Sequence, residues 1–330
     1  MTSIQDFNST FDLMSMYQKQ HLPLVMLANV FMILTEIVIF TLNPVCLLSL
    51  CHVCNIQPAS KVFMASLMIS DLCTGLFWGL PQIIQNITGK WPLGESACVA
   101  YGILKSALIT MGMESVLFLT TDRYVAIMHP LRYQSILTRR RSLVAMAGVW
   151  VVTCVVCVLL FGISGTGRRI ISQEVPHWCV EGKRVFENCV VFGIYSVVLL
   201  AMFAMYTRII RTARSQARRI AGNIRPAEGE AGQRRRTRIA TKSTVTVIII
   251  TGTLLLCWVP DCLRALFRTL LGDLYWPNPG VEILINTLLL LNGGLNVVIY
   301  YIRNNDIRRA LNQQVSFCCQ VMCQRLHQFV

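Results

Sequence analysis

The sequence predicts an all-α membrane protein, a bundle of seven transmembrane helices followed by a short amphipathic helix. Three observations carry that expectation. Of the 330 residues, 54% are hydrophobic and only 14% charged, whereas soluble domains average about a quarter charged residues; mean hydropathy is +0.55. The apolar residues fall in seven blocks, roughly 24–51, 62–84, 97–124, 143–164, 190–210, 244–267 and 281–302, each long enough to cross about 30 Å of hydrocarbon. Lipid offers a bare backbone no hydrogen-bond partner, so blocks of this kind satisfy their own amides as helices.

Charge sets the orientation. The net charge of +14 lies in short segments between runs and does not imply nucleic acid. Arg132, Arg139, Arg140 and Arg141 separate the third and fourth runs, and Arg208, Arg211, Arg214, Arg218, Arg219, Arg234, Arg235, Arg236, Arg238 and Lys242 the fifth and sixth. Arg303, Arg308 and Arg309 follow the seventh. Positive residues favour the inside, which predicts residues 1–22 as an extracellular N-terminus, 23–302 as the transmembrane domain and 303–330 as a cytoplasmic amphipathic helix and tail. The polar leader predicts no cleaved signal peptide, so the first run serves as an uncleaved signal-anchor. Two glycosylation sequons, at Asn8 and Asn86, fall on the expected outside. Of fourteen cysteines, most lie inside apolar runs, where a thiol behaves as a small hydrophobe. Cys98 and Cys179 lie in outer segments.

Each run carries a polar mark. The first holds Glu36 and Asn43-Pro44, and the second holds Ser70-Asp71. The third runs past Lys105 and Glu114 into Thr121-Asp122-Arg123-Tyr124-Val125-Ala126-Ile127-Met128-His129-Pro130-Leu131-Arg132-Tyr133. Trp150 marks the fourth and Tyr206 the fifth; the sixth holds Cys257-Trp258-Val259-Pro260 and the seventh Asn296-Val297-Val298-Ile299-Tyr300. A charged triplet at the foot of a hydrophobic helix is costly unless its charges pair or carry function. Lys105 and Arg123 are eighteen residues apart, five helical turns, so they share a face about 27 Å apart.

These motifs, from Asn43 to Leu311, resemble the rhodopsin-like G-protein-coupled receptors. In pattern they are nearest the amine-receptor-like branch, but an aspartate of that branch is replaced by Lys105. The resemblance implies a plasma-membrane receptor that converts binding of a small extracellular ligand into activation of a heterotrimeric G protein, with arrestin and a receptor kinase as further partners. It implies a Cys98–Cys179 disulfide. It implies a switch in which Asp122 holds Arg123 at rest and Tyr124, Tyr206, Asn296, Tyr300 and the Pro260 kink take part in opening. It implies a polar core of Asp71, Asn292 and Asn296, holding either water or a sodium ion; no other metal or cofactor is implied. A ligand pocket is implied around Trp258, with Lys105 and Asp261 at its depth and Glu282, Asn286 and Arg268 at its rim.

A lysine repels the ammonium of a simple monoamine. Two readings of Lys105 and Asp261 therefore stand: a bridge to each other, or a site for an anionic or zwitterionic ligand. After Tyr300, residues 302–311 read as an amphipathic helix with Ile307 and Leu311 buried and basic residues at the headgroups. Cys318, Cys319 and Cys323 beyond it are either palmitoylation sites or ordinary thiols.

Several residues depart from the family pattern. Ala240 replaces the acid expected at the foot of the sixth helix, Gly112 a hydroxyl near Asp71, and Val198 and Val297 two prolines. Gly293-Gly294 is a candidate bend. No zinc spacing, nucleophile with neighbouring base or phosphate loop argues for an enzyme. Three alternatives remain at this level. An opsin-type light sensor needs a lysine on the seventh helix, and 283–299 has none. A transporter needs interrupted repeats, which are not seen. The third is a constitutively active orphan receptor.

Overall fold

The computed structural model describes residues 22–54, 56–89, 91, 93–163, 169–171, 178–180, 185–222, 249, 252–253, 255–271, 278–303, 305–314 and 316. Asn8, Ala240, Cys318, Cys319 and Cys323 lie outside these residues. Helix α1 is Leu22–His52, α2 runs through Pro58–Thr88, α3 is Gly94–Met128, and α4 begins as Arg139–Cys157. Helix α5 is Val185–Gly222, α6 covers 255–271, α7 is Pro279–Arg303 and α8 covers 305–314. Among the described residues, six of these, all but α6 and α8, contain a stretch long and apolar enough to cross a membrane. Together the helices make the expected seven-helix architecture and its trailing amphipathic helix.

Local chemistry explains the boundaries. Pro58 opens α2, where a missing N–H costs nothing. Gly89 closes it at φ 70°, a left-handed cap that glycine adopts freely. The Thr138 side chain accepts the Arg141 amide at the start of α4. Val198 lets α5 stay unbroken, and α7 is helical throughout despite Gly293 and Gly294. The glycine pair serves close packing instead of the expected bend. A Cβ on Gly293 would lie 2.9 Å from Asp71 Cγ, and one on Gly294 2.8 Å from Val38 Cγ1.

The structure adds features that hydropathy does not specify. A π-helical turn, Gly75–Gly79, interrupts α2 just before Pro81, and a second, Val158–Ile163, extends α4. A single helical turn, Tyr133–Ile136, follows α3. Two short strands, β1 (Arg169–Ile171) and β2 (Trp178–Val180), pair antiparallel with Ile170 opposite Cys179. This hairpin is a small exception to the all-α expectation. It is tied down twice: Cys179 is disulfide-bonded to Cys98 on α3, and its backbone exchanges two hydrogen bonds with the buried Gln85 amide of α2.

Packing centres on α3. One buried cluster unites Trp78, Met113, Tyr195, Tyr206, Trp258 and Leu290 from five helices. A second joins Cys46 and Leu50 of α1 and Met68 of α2 to Val297 of α7 and Ile307, Ala310 and Leu311 of α8. Ile307 and Leu311 are thus buried, as the amphipathic reading expects, while Arg308 and Arg309 are exposed.

Candidate functional site

Polar residues gather at three levels of the bundle. At the disulfide end, Arg264 of α6 is buried, with 7% of its side chain exposed. It ion-pairs with Asp261 one turn earlier on the same helix. It also donates to Glu282 Oε2 at 3.0 Å and to Asn286 Oδ1 at 2.9 Å, both on α7. Arg268 donates to the same Glu282 oxygen at 2.9 Å. A guanidinium meets several acceptors at once through its planar fork. Asp261, Glu282 and Asn286 are thereby brought together.

Lys105 lies across the bundle on α3, also buried, its Nζ 5.2 Å from the Trp78 ring centroid, within cation–π range. Asp261 pairs with Arg264, so the Lys105–Asp261 bridge weighed from the sequence is not formed. Trp258, one turn before Asp261, meets Tyr195 of α5 edge to face at 5.4 Å, and the Tyr195 hydroxyl is 3.1 Å from Thr110 Oγ1 on α3. Pro260 lies half-buried between them in sequence. Proline removes one backbone hydrogen bond there. The sequence reading missed Arg264, Trp78 and Tyr195. Arg264 had a usable signal, since Asp261, Arg264 and Arg268 recur at the three- and four-residue spacing that shares a helix face.

At mid-bundle, Asp71 of α2 faces Gly293 and Asn296 of α7, and Asn292 is buried nearby. Asp71 Oδ2 and Asn296 Nδ2 have no hydrogen-bond partner among the described protein atoms. Gly112 contributes no oxygen, and the neighbouring Ser70 hydroxyl donates to the Leu67 carbonyl at 2.8 Å. The polar core is therefore the one the resemblance implies, less its α3 hydroxyl.

At the opposite end, Asp122 is almost fully buried and accepts from Ser60 Oγ at 2.7 Å and Tyr133 OH at 2.5 Å. Arg123 Nε lies 3.6 Å from the same carboxylate, with 56% of the arginine side chain exposed. Burial, then the Asp122 carboxylate, push the Tyr133 phenol up to about 12. It therefore stays protonated, and a donor, throughout the physiological range. Tyr206 OH bonds Thr120 Oγ1 at 2.9 Å, and Tyr124 OH is 3.4 Å from Arg208 Nη1. Tyr300 packs against the central cluster. Ser60 and Tyr133 are roles the sequence reading did not assign.

Asn86 sits in the last turn of α2, and its amide nitrogen donates to Asn29 Oδ1 at 2.8 Å.

Comparison with known proteins accords with this geometry. The family model described as 7 transmembrane receptor (rhodopsin family) matches residues 42–300. The human histamine H2 receptor is 28% identical over 276 residues, covering 83% of this chain and 74% of that protein. A mouse D(1B) dopamine receptor is 27% identical, covering 81% and 63%. An alpha-1A adrenergic receptor of Oryzias latipes is 25% identical, covering 84% and 64%. The chain belongs to the rhodopsin-like family of seven-transmembrane receptors. It is a multi-pass membrane receptor related to amine receptors, not an enzyme.

Proposed function

We propose that this receptor sits in the plasma membrane with its N-terminus outside and couples a small anionic or zwitterionic ligand to heterotrimeric G-protein activation inside. Lys105, Trp258, Asp261, Glu282 and Asn286 form the ligand site, with Arg264 at its centre. One observation carries the ligand class: a buried arginine already shared between two carboxylates, opposite a buried lysine. A ligand carboxylate or phosphate can exchange with Glu282 or Asp261 at Arg264, and a ligand ammonium can take the acid released. Ligand binding selects the open bundle, and G protein reciprocally raises ligand affinity. Asp122, Arg123, Tyr124, Tyr206, Asn296, Tyr300 and Pro260 form the switch, after which arrestin and a receptor kinase act on the cytoplasmic face. Asn8 and Asn86 carry glycans, and Cys318, Cys319 and Cys323 carry palmitate.

The test is a ligand screen on the wild type beside Lys105→Ala and Asp261→Ala. Hits are expected to be acids or zwitterions, weakened in at least one variant by about tenfold, the value of 1.4 kcal/mol. Full potency of every hit in both variants overturns the ligand site.

Ala240 supports a second reading, that the receptor signals without ligand, because Arg123 lacks the helix-six acid that would restrain it. Such a restraint is worth about 0.5–1 kcal/mol when exposed. Reporter output above mock-transfected cells is expected; output equal to mock removes this reading.

A further inference from the structure

Beyond Asp122, α3 and α5 run side by side, and polar rungs cross between them. Tyr206 OH meets Thr120 Oγ1, and Arg208 Nη1 lies 3.4 Å from Tyr124 OH. The last rung joins Thr212 Oγ1 of α5 to the sulfur of Met128, the final residue of α3, at 3.3 Å. Its donor breaks a local habit. A threonine inside a helix can turn its hydroxyl back to the carbonyl four residues earlier, and Thr110, Thr120, Thr121 and Thr207 on these two helices all do so. Thr212 instead aims its hydroxyl across the seam at a thioether, which is a weak acceptor. Met128 is also placed to react. It is partly exposed at the end of the apolar span and is followed by the exposed His129 and Pro130, whereas Met64, Met68, Met111 and Met113 are buried in the bundle.

We infer that Met128 is an oxidation site for a hydroperoxide, and that its sulfoxide, held by Thr212, fastens α5 to the end of α3. The sulfur gives an electron pair to one oxygen of hydrogen peroxide, and the O–O bond breaks. That oxygen stays on sulfur, and the other leaves as water with both hydrogens, so sulfur is oxidised and peroxide reduced. The new oxygen is a strong acceptor where a weak one stood, and a hydroxyl donor already faces it. Methionine's rotatable bonds let the sulfur withdraw to make room. Arg208, one turn before Thr212 on the same face of α5, brings further donors. The tightened seam keeps Tyr206 on Thr120 and away from Arg123, so oxidation lowers nucleotide exchange. This last step rests on the switch and orientation proposed above, which place Met128 in reach of cytoplasmic peroxide.

The test treats the purified full-length receptor with dilute hydrogen peroxide and maps oxidation by peptide mass spectrometry. Met128 is expected to gain one oxygen while Met64 and Met111 stay unmodified. One hydrogen bond gained predicts a rise in melting temperature of about 2 °C, where loss of methionine packing alone predicts a fall. Basal nucleotide exchange on added G protein is expected to drop by about fivefold. Methionine sulfoxide reductase with a dithiol should reverse both effects. Thr212→Val should still oxidise at Met128 but show neither the rise nor the drop. Met128→Leu should show no response at all, and Met205→Leu should behave as wild type. Mass mapping of the wild type needs no variant, so it decides the site even where a variant misfolds. A Met128 thioether that survives while Met64 or Met111 oxidises overturns the site. A melting shift retained in folded Thr212→Val or Met128→Leu overturns the Thr212 lock. Unchanged exchange beside a raised melt overturns the regulatory step. Absence of exchange before any treatment instead removes the G-protein reading, and the mass shift and the melt then decide the site alone.

Discussion

Arg264 shows how one residue can organise a pocket. Its guanidinium satisfies Asp261, Glu282 and Asn286 together, so removing it leaves two carboxylates without that cation in a poorly hydrated site. Truncating one partner of a buried ion pair costs about 3–5 kcal/mol. Arg264→Ala is expected to lower the melting temperature of the purified receptor clearly, and Arg264→Lys to lower it less, since lysine keeps the charge but not the fork. An unchanged melt for Arg264→Ala would count against the network as a stabilising unit. Tyr133 poses the same question at the other end. Tyr133→Phe removes one of the two hydroxyl donors to Asp122, a charged hydrogen bond worth about 1.5–3 kcal/mol. That loss should loosen the Asp122–Arg123 pair. Basal nucleotide exchange should rise above wild type, and a fall would reverse the role assigned here. At this scale the sequence told part of the story. Asp261, Glu282 and Asn286 stood out as polar residues in apolar runs, and Asp122 through its motif. Which cation each acid takes depends on how α6 and α7 are rotated, and hydropathy does not encode that.

At the scale of the element, α2 is the instructive helix. Its apolar length was legible, but its π-helical turn was not. The turn places Gly75 and Gly79 against the buried Glu36 side chain of α1, and a Cβ at Gly79 would occupy the position of Glu36 Oε1. Overpacking of this kind costs about 1–3 kcal/mol. Gly79→Ala should therefore lower the melting temperature, and the penalty should shrink when Glu36→Ala is added; equal penalties in both backgrounds would mean that the two positions do not compete for space. The hairpin was equally hidden, because three-residue strands leave no alternation to read, whereas the cysteine that anchors it was plain. Helix α5 is the reverse case. The apolar run set its membrane portion, but its 38 residues make a rod of about 57 Å, well beyond the bilayer. The extra turns are basic and polar, so hydropathy stops where the helix does not.

For the whole molecule, bundle and topology were readable because lipid admits so few alternatives for long apolar runs. The packing order was not. Helix α1 lies most extensively on α7, at the far end of the chain. Two glycines make that approach possible: a Cβ on Gly280 would press on Leu24, and one on Gly294 on Val38. The same end of the molecule joins α8 to α1 and α2 through Ile307 and Leu311.

That seam has a consequence for biosynthesis. Helix α1 leaves the ribosome first and its partner nearly last, so α1 must wait in the translocon's neighbourhood with the Leu24 and Val38 surface that matches the α7 glycines uncovered. Partly assembled intermediates with exposed apolar surface are the aggregation-prone species. Substituting Gly294 with a bulky residue should therefore act late, after all seven helices have been inserted. The mutant chain should be full length and fully inserted, yet held in the endoplasmic reticulum.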